Sequence, residues 1–254
     1  MRPHLVNSRA SAVLSAFADG RLFGVRTGDG PPKVLALHGW RGSHAQMLPA
    51  LAGIDAIALD LPGFGASPPP PTGWGAQDYA ELVSVVLAEL PDPPVVLGYS
   101  FGGRVAVHLA ASYREHVRSL VLTGAPLIRE KGKARPSLGY RLARSAHRAG
   151  VLSDARMEAI RNRRGSDDYR AADGVMREVF VRVVNESYES QLRATTCPVE
   201  LVYGEDDTAA PVVQARRAAD LLAQARLTVV PGGTHWSVVD HPDALRAVID
   251  RVLA

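Results

Sequence analysis

A serine, an acid and a histidine, met in that order along the chain, are the residues whose surroundings suggest chemistry. Ser100 lies in Gly98-Tyr99-Ser100-Phe101-Gly102, a G-x-S-x-G pattern that closes the apolar run PVVLGYS and opens an Ala-rich, helix-prone stretch. A serine hydroxyl is a weak nucleophile at neutral pH, and a sharp strand-to-helix turn exposes it to a base and a substrate while small neighbours let the backbones approach. Five residues alone also fit an inert Gly-rich turn. A phosphate-binding turn would place a Lys and a Ser or Thr behind the glycines, and none follows here.

The base must be a histidine within hydrogen-bond reach, itself oriented by a carboxylate. Of the eight histidines, His235 stands in PGGTHW, a Gly-rich loop directly after a late apolar run. His38, in an HG pair at a strand end, reads as a structural hydrogen-bonding residue, and His108 falls within a helix. His4, His44, His116, His147 and His241 read as surface or capping residues. For the acid, Glu205, Asp206 and Asp207 stand side by side after the run that ends at Gly204, and Asp207 is the favoured member. Such a set performs acyl transfer: the serine attacks a carbonyl, the histidine moves its proton, and two backbone N–H groups hold the developing oxyanion. Phe101, directly after the nucleophile, should supply one of them.

These residues need a scaffold that brings distant segments to one edge. Short apolar runs without polar alternation occur at 34–39, 55–60, 94–100, 117–124, 198–204 and 225–232. Such runs suit strands covered on both faces, hence a mostly parallel sheet. Helical patterns at 77–90, 102–112, 212–222 and 242–253 alternate with them, the sign of an α/β architecture. Ahead of these, 13–27 reads as a hairpin around Asp19 and Gly20. The proline run 68–71 reads as a stiff surface loop.

Residues 127–195 break the alternation: they show helical periodicity and no convincing strand. They carry fifteen Lys or Arg against nine Asp or Glu, about +6 within a chain of net charge +3. The expected organisation is therefore a core of 1–126 and 196–254, with a helical cap at 127–195 inserted after the sixth strand. The positive charge of the insert reads as a solvated helical face, with anionic substrates or an acidic surface as the alternative.

Composition excludes other classes. With 254 residues and 46% hydrophobic content the chain can bury a full core. Cys197 is the only cysteine, which leaves no internal disulfide framework and no thiolate metal cluster. Basic residues are almost all Arg, with Lys only at 33, 131 and 133, and they form no stripe interleaved with aromatics, so nucleic-acid binding is not expected. The N-terminal segment has no signal-like apolar core and no run of about 18 apolar residues occurs, so a cytoplasmic protein without stable membrane association is expected.

The ordered motifs HGW (38–40), DLPGFGAS (60–67), GYSFGG (98–103), GEDD (204–207) and GGTHW (232–236) resemble the successive signatures of the α/β-hydrolase fold superfamily. The resemblance spans most of the chain and implies a serine-nucleophile hydrolase. It implies Asp207 as the acid, three residues past Gly204 and four before Pro211, and Trp40, after the HG pair, as the second oxyanion donor beside Phe101. It implies no metal and no organic cofactor. A serine nucleophile separates the chain from the aspartate-dependent dehalogenases and epoxide hydrolases of the superfamily and from its cysteine-dependent dienelactone hydrolases. The expected activity is cleavage of a small carboxylic ester, a carboxylesterase. The alternatives are carbon–carbon hydrolysis of ring-cleavage diketones, suggested by the His235-Trp236 pair, and a non-catalytic ligand-binding protein. Acyl group, leaving group and oligomeric state stay open.

Overall fold

The computed structural model describes residues 13–129, 138–164, 166–236 and 240–254. An eight-stranded sheet organises it: β1 (Leu14–Phe17), β2 (Leu22–Thr27), β3 (Val34–Leu37), β4 (Ala56–Asp60), β5 (Val95–Tyr99), β6 (Ser119–Thr123), β7 (Val199–Gly204) and β8 (Ala225–Val230). The spatial order is β1-β2-β4-β3-β5-β6-β7-β8. β1 and β2 pair antiparallel, as do β2 and β4; β3 to β8 run parallel. The hairpin turn carries Ala18, Asp19 and Gly20 at positive φ, which tightens the link between β1 and β2.

β3, β4, β5 and β6 are buried at every position, the physical reason their sequences lack polar alternation. β8, at the sheet edge, is buried only at Val230. The layers are supplied by α1 (His44–Met47), α2 (Ala76–Ala88), α3 (Phe101–Ser112), α9 (Val212–Ala219) and α10 (Pro242–Leu253). α2 buries Tyr79, Leu82, Val83, Val86 and Leu87, spaced three and four apart on one face. α10 buries Leu245, Val248 and Ile249 in the cluster that also holds Val34, Met47, Leu51 and Val95.

The chain divides into two compact units. The first contains the described residues up to Pro69, together with Gly75–Ile128 and Ser187–Ala254. The second contains Pro70–Trp74 and the described part of Arg129–Glu186. Tyr188 and α8 (Glu189–Ala194), grouped with the insert in the sequence reading, thus belong to the first unit, where Tyr188 packs edge-on against His108 of α3 with ring centroids 5.7 Å apart. Conversely, part of the proline run joins the second unit.

That second unit is helical: α4 (Leu138–Arg148), α5 (Asp154–Arg164), α6 (Asp167–Ala171) and α7 (Gly174–Val183). Met157, Ala172, Val179 and Val183 are among its buried residues. Arg177 pairs with Glu158 and lies over the Tyr169 ring at 5.2 Å. Arg182 donates to the Gly73 carbonyl at 3.0 Å, tying α7 to the 70–74 segment. Among the described residues no helix is long and apolar enough to cross a membrane.

Candidate active site

The C-terminal ends of parallel strands are where loops gather in such sheets, and the residues singled out by sequence meet there. Ser100 follows β5, Asp207 lies three residues beyond β7, and His235 lies five beyond β8. The Ser100 Oγ is 3.0 Å from His235 Nε2, and His235 Nδ1 is 2.9 Å from Asp207 Oδ2. A carboxylate accepts only, so Nδ1 carries the proton, Nε2 is left as the acceptor, and the serine hydroxyl donates to it.

The turn that presents Ser100 is strained. Its φ of 48° and ψ of −106° lie where L-residues are rarely found. Two observations explain how it persists. Ser100 N–H donates to the Thr123 carbonyl at 2.9 Å and Gly102 N–H to the His38 carbonyl at 3.0 Å, so both neighbouring strands grip the turn. A β-carbon on Gly98 would lie 2.6 Å from the Gly103 Cα, which is why strand and helix can meet there only without side chains.

Among the three adjacent acids, burial separates one from the others. Asp207 is 3% exposed, whereas Glu205 and Asp206 are exposed. Asp207 Oδ1 accepts from the backbone N–H groups of Ala209 (2.8 Å) and Ala210 (2.7 Å), leaving Oδ2 for His235. Glu205 is turned to the Gly232 N–H at 3.2 Å instead. The histidine loop is held from both sides: Asp206 N–H donates to the Gly233 carbonyl at 2.8 Å, and Thr234 Oγ1 donates to Asp240 at 2.8 Å.

Trp40 and Phe101, the expected oxyanion donors, are neighbours. Their rings pack edge-on with centroids 5.5 Å apart, with Phe64 against Trp40 at 4.9 Å and Tyr79 against Phe101 at 5.0 Å. Phe101 opens α3, where a backbone N–H has no acceptor within the helix. Trp40 lies inside a tight turn closed by Gly42 N–H donating to the Gly39 carbonyl at 3.0 Å. Gly39 N–H in turn donates to Gln46 Oε1 at 3.0 Å.

His38 is fully buried. Its Nε2 accepts from the Leu61 N–H at 2.9 Å, so Nδ1 carries the hydrogen and donates to the Gly39 carbonyl at 2.7 Å. Burial lowers its pKa to about 4, which keeps the ring neutral in this two-sided role. Beside it, two contacts have no local signal in the sequence. The buried Asp60 carboxylate accepts from His44 N–H (2.6 Å) and Ala66 N–H (2.9 Å), folding the 60–67 loop so that Phe64 reaches Trp40. The Tyr99 hydroxyl donates to the His235 carbonyl at 2.8 Å. Asp60 opens the DLPGFGAS motif and Tyr99 stands inside GYSFGG, but neither motif indicates these partners.

Comparison with known proteins agrees with this architecture. A family model described as "alpha/beta hydrolase fold" matches residues 32–242. A pimeloyl-[acyl-carrier protein] methyl ester esterase of Chromobacterium violaceum is 30% identical, over 91% of this chain and 98% of that protein. A 2-(acetamidomethylene)succinate hydrolase of Mesorhizobium japonicum is 29% identical, over 84% of each. Among solved structures, an esterase from Rhodococcus sp. superposes with a TM-score of 0.66 at 26% identity, covering 96% of this chain and 99% of that one.

Proposed function

This chain belongs to the alpha/beta hydrolase fold family and is an esterase-type hydrolase within it; on that footing we propose that it cleaves a small carboxylic ester through a Ser100–His235–Asp207 triad and an acyl-enzyme. The observation that carries this reading is the unbroken hydrogen-bonded chain from Ser100 Oγ through the imidazole to the buried Asp207 carboxylate.

In the acylation step His235 Nε2 takes the Ser100 proton as Oγ bonds to the ester carbon. The carbonyl electron pair moves onto oxygen, where the backbone N–H groups of Trp40 and Phe101 receive it. Each such donor is worth about 10²–10³ in rate when aimed at the oxyanion. Collapse of the tetrahedral intermediate expels the alcohol, which takes its proton from His235. Water then enters by the same route: His235 accepts a water proton, the hydroxide adds to the acyl carbon, and Ser100 leaves with its hydrogen restored. Asp207 holds the imidazole in the tautomer these transfers need and offsets the charge of the imidazolium. No step calls for a metal or an organic cofactor.

The relative from C. violaceum is named for a methyl ester, which supports a short alkyl alcohol as the leaving group. In this reading the helical second unit is the cap. A panel of methyl and p-nitrophenyl esters of increasing acyl length, run beside one ring-cleavage diketone, tests the proposal. Turnover of esters that disappears in Ser100→Ala supports it, whereas turnover of the diketone alone would assign the carbon–carbon alternative.

A further inference from the structure

We propose that Tyr99 is a positioning residue that locks the histidine loop and the oxyanion loop onto the strand bearing the nucleophile. The inference rests on the triad reading above and adds a residue to it.

Tyr99 is the last residue of β5, next to Ser100, and is 2% exposed. Its side chain touches three separate segments. The hydroxyl donates to the His235 carbonyl at 2.8 Å, with the two rings tilted against each other at 5.5 Å. One ring edge fills the space in front of Gly39, where a β-carbon would lie 2.7 Å from Tyr99 Cε1. The other edge faces Gly124, whose added β-carbon would lie 3.3 Å from Cε2. A rigid aromatic ring with a single hydrogen-bonding tip suits this task, because it fixes distance with little conformational freedom to lose.

The bond to His235 is made at the backbone, so it sets where the imidazole is rooted without competing for either ring nitrogen. Asp207 orients the imidazole about its own axis, and Tyr99 fixes the height of the loop that carries it. Burial, with Asp207 and Asp240 nearby, pushes the phenol pKa upward, so the hydroxyl stays a donor throughout the working range. Contact with Gly39 couples the same ring to the turn that holds Trp40.

The test is Tyr99→Phe, which keeps the ring and removes the hydroxyl. A matched control is Tyr203→Phe, since Tyr203 is equally buried and donates to the Ala125 carbonyl at 2.6 Å in the same core. The expected result for Tyr99→Phe is a kcat for p-nitrophenyl acetate about tenfold lower, with KM within about twofold of native. The rate of Ser100 labelling by a fluorophosphonate should fall equally, while Tyr203→Phe changes neither by more than about twofold. Native rates in a folded Tyr99→Phe, or equal slowing in both variants, would overturn the role of Tyr99. Failure of the native protein itself to label at Ser100 would instead overturn the triad, and this role with it. Should Tyr99→Phe not fold, Gly39→Ala pushes on the ring from the other side, and native labelling there would contradict the link.

Discussion

Ser100 and His235 stand 135 positions apart in the chain and 3.0 Å apart at Oγ and Nε2. Their strands are not neighbours, because β6 and β7 lie between β5 and β8. At the usual strand spacing the two strand ends are about 14 Å apart, a gap that the 231–235 segment and the two side chains must cross. That segment is anchored along the way by Asp206 N–H to the Gly233 carbonyl and at its end by the Tyr99 hydroxyl. The approach of Ser100 to His235 therefore depends on how the 231–235 segment is anchored as much as on the two side chains themselves.

Asp207 rather than its neighbours should carry the electrostatic load. Asp207→Asn is expected to lower kcat for a p-nitrophenyl ester by about 10⁴, because the amide can donate to Nδ1 and stabilise the wrong tautomer. Asp206→Asn, at an exposed position, should leave kcat within about twofold. Steady-state kinetics on the two purified variants decides, and the reverse pattern would move the acid to position 206.

Strain at Ser100 predicts a separation of stability from activity. Ser100→Ala and Ser100→Gly should both be inactive, yet they should differ in stability. Alanine inherits the unfavourable φ of 48°, whereas glycine relieves it and loses part of the gain to backbone entropy. Urea unfolding should find the glycine variant about 1 kcal/mol more stable than the alanine variant. Equal or reversed stabilities would show that the turn stores no strain.

His38 predicts how stability depends on pH. Its folded-state pKa is lowered from 6.5 to about 4, so below pH 6.5 the unfolded chain takes up a proton that the folded protein refuses. Its contribution is complete above pH 6.5 and declines as pH falls toward 4, by up to about 3 kcal/mol at the low end. His38→Gln can donate to the Gly39 carbonyl and accept from the Leu61 N–H without titrating. Denaturant unfolding at pH 7 and pH 4.5 should show a smaller loss in this variant than in the native protein, and an identical loss would contradict the assignment.

Much of this arrangement is written in local patterns. The central strands are read easily because burial on both faces removes polar residues from them, and the serine turn because close approach at Gly98 and Gly102 admits no side chain. Asp207 was distinguishable from Glu205 and Asp206 only through its spacing from Gly204 and Pro211, since burial is a tertiary property. The role of Tyr99 is hidden for a stronger reason: its hydroxyl acts on a backbone carbonyl 136 positions away, and every residue carries a backbone carbonyl whatever its side chain. The grouping of Pro70–Trp74 with the second unit likewise depends on contacts such as Arg182 with the Gly73 carbonyl, which no periodicity encodes. Likewise the α8 segment reads as one more helix of the insert until its packing on α3 is seen.

The central claim is that Ser100 is an activated nucleophile. Its most direct test is to react the native protein with a fluorophosphonate probe at neutral pH, digest it and locate the adduct by mass spectrometry. One adduct is expected, on the peptide carrying Ser100, with labelling slowed by orders of magnitude in His235→Ala. A folded protein that takes up no probe, or takes it up elsewhere, would contradict it.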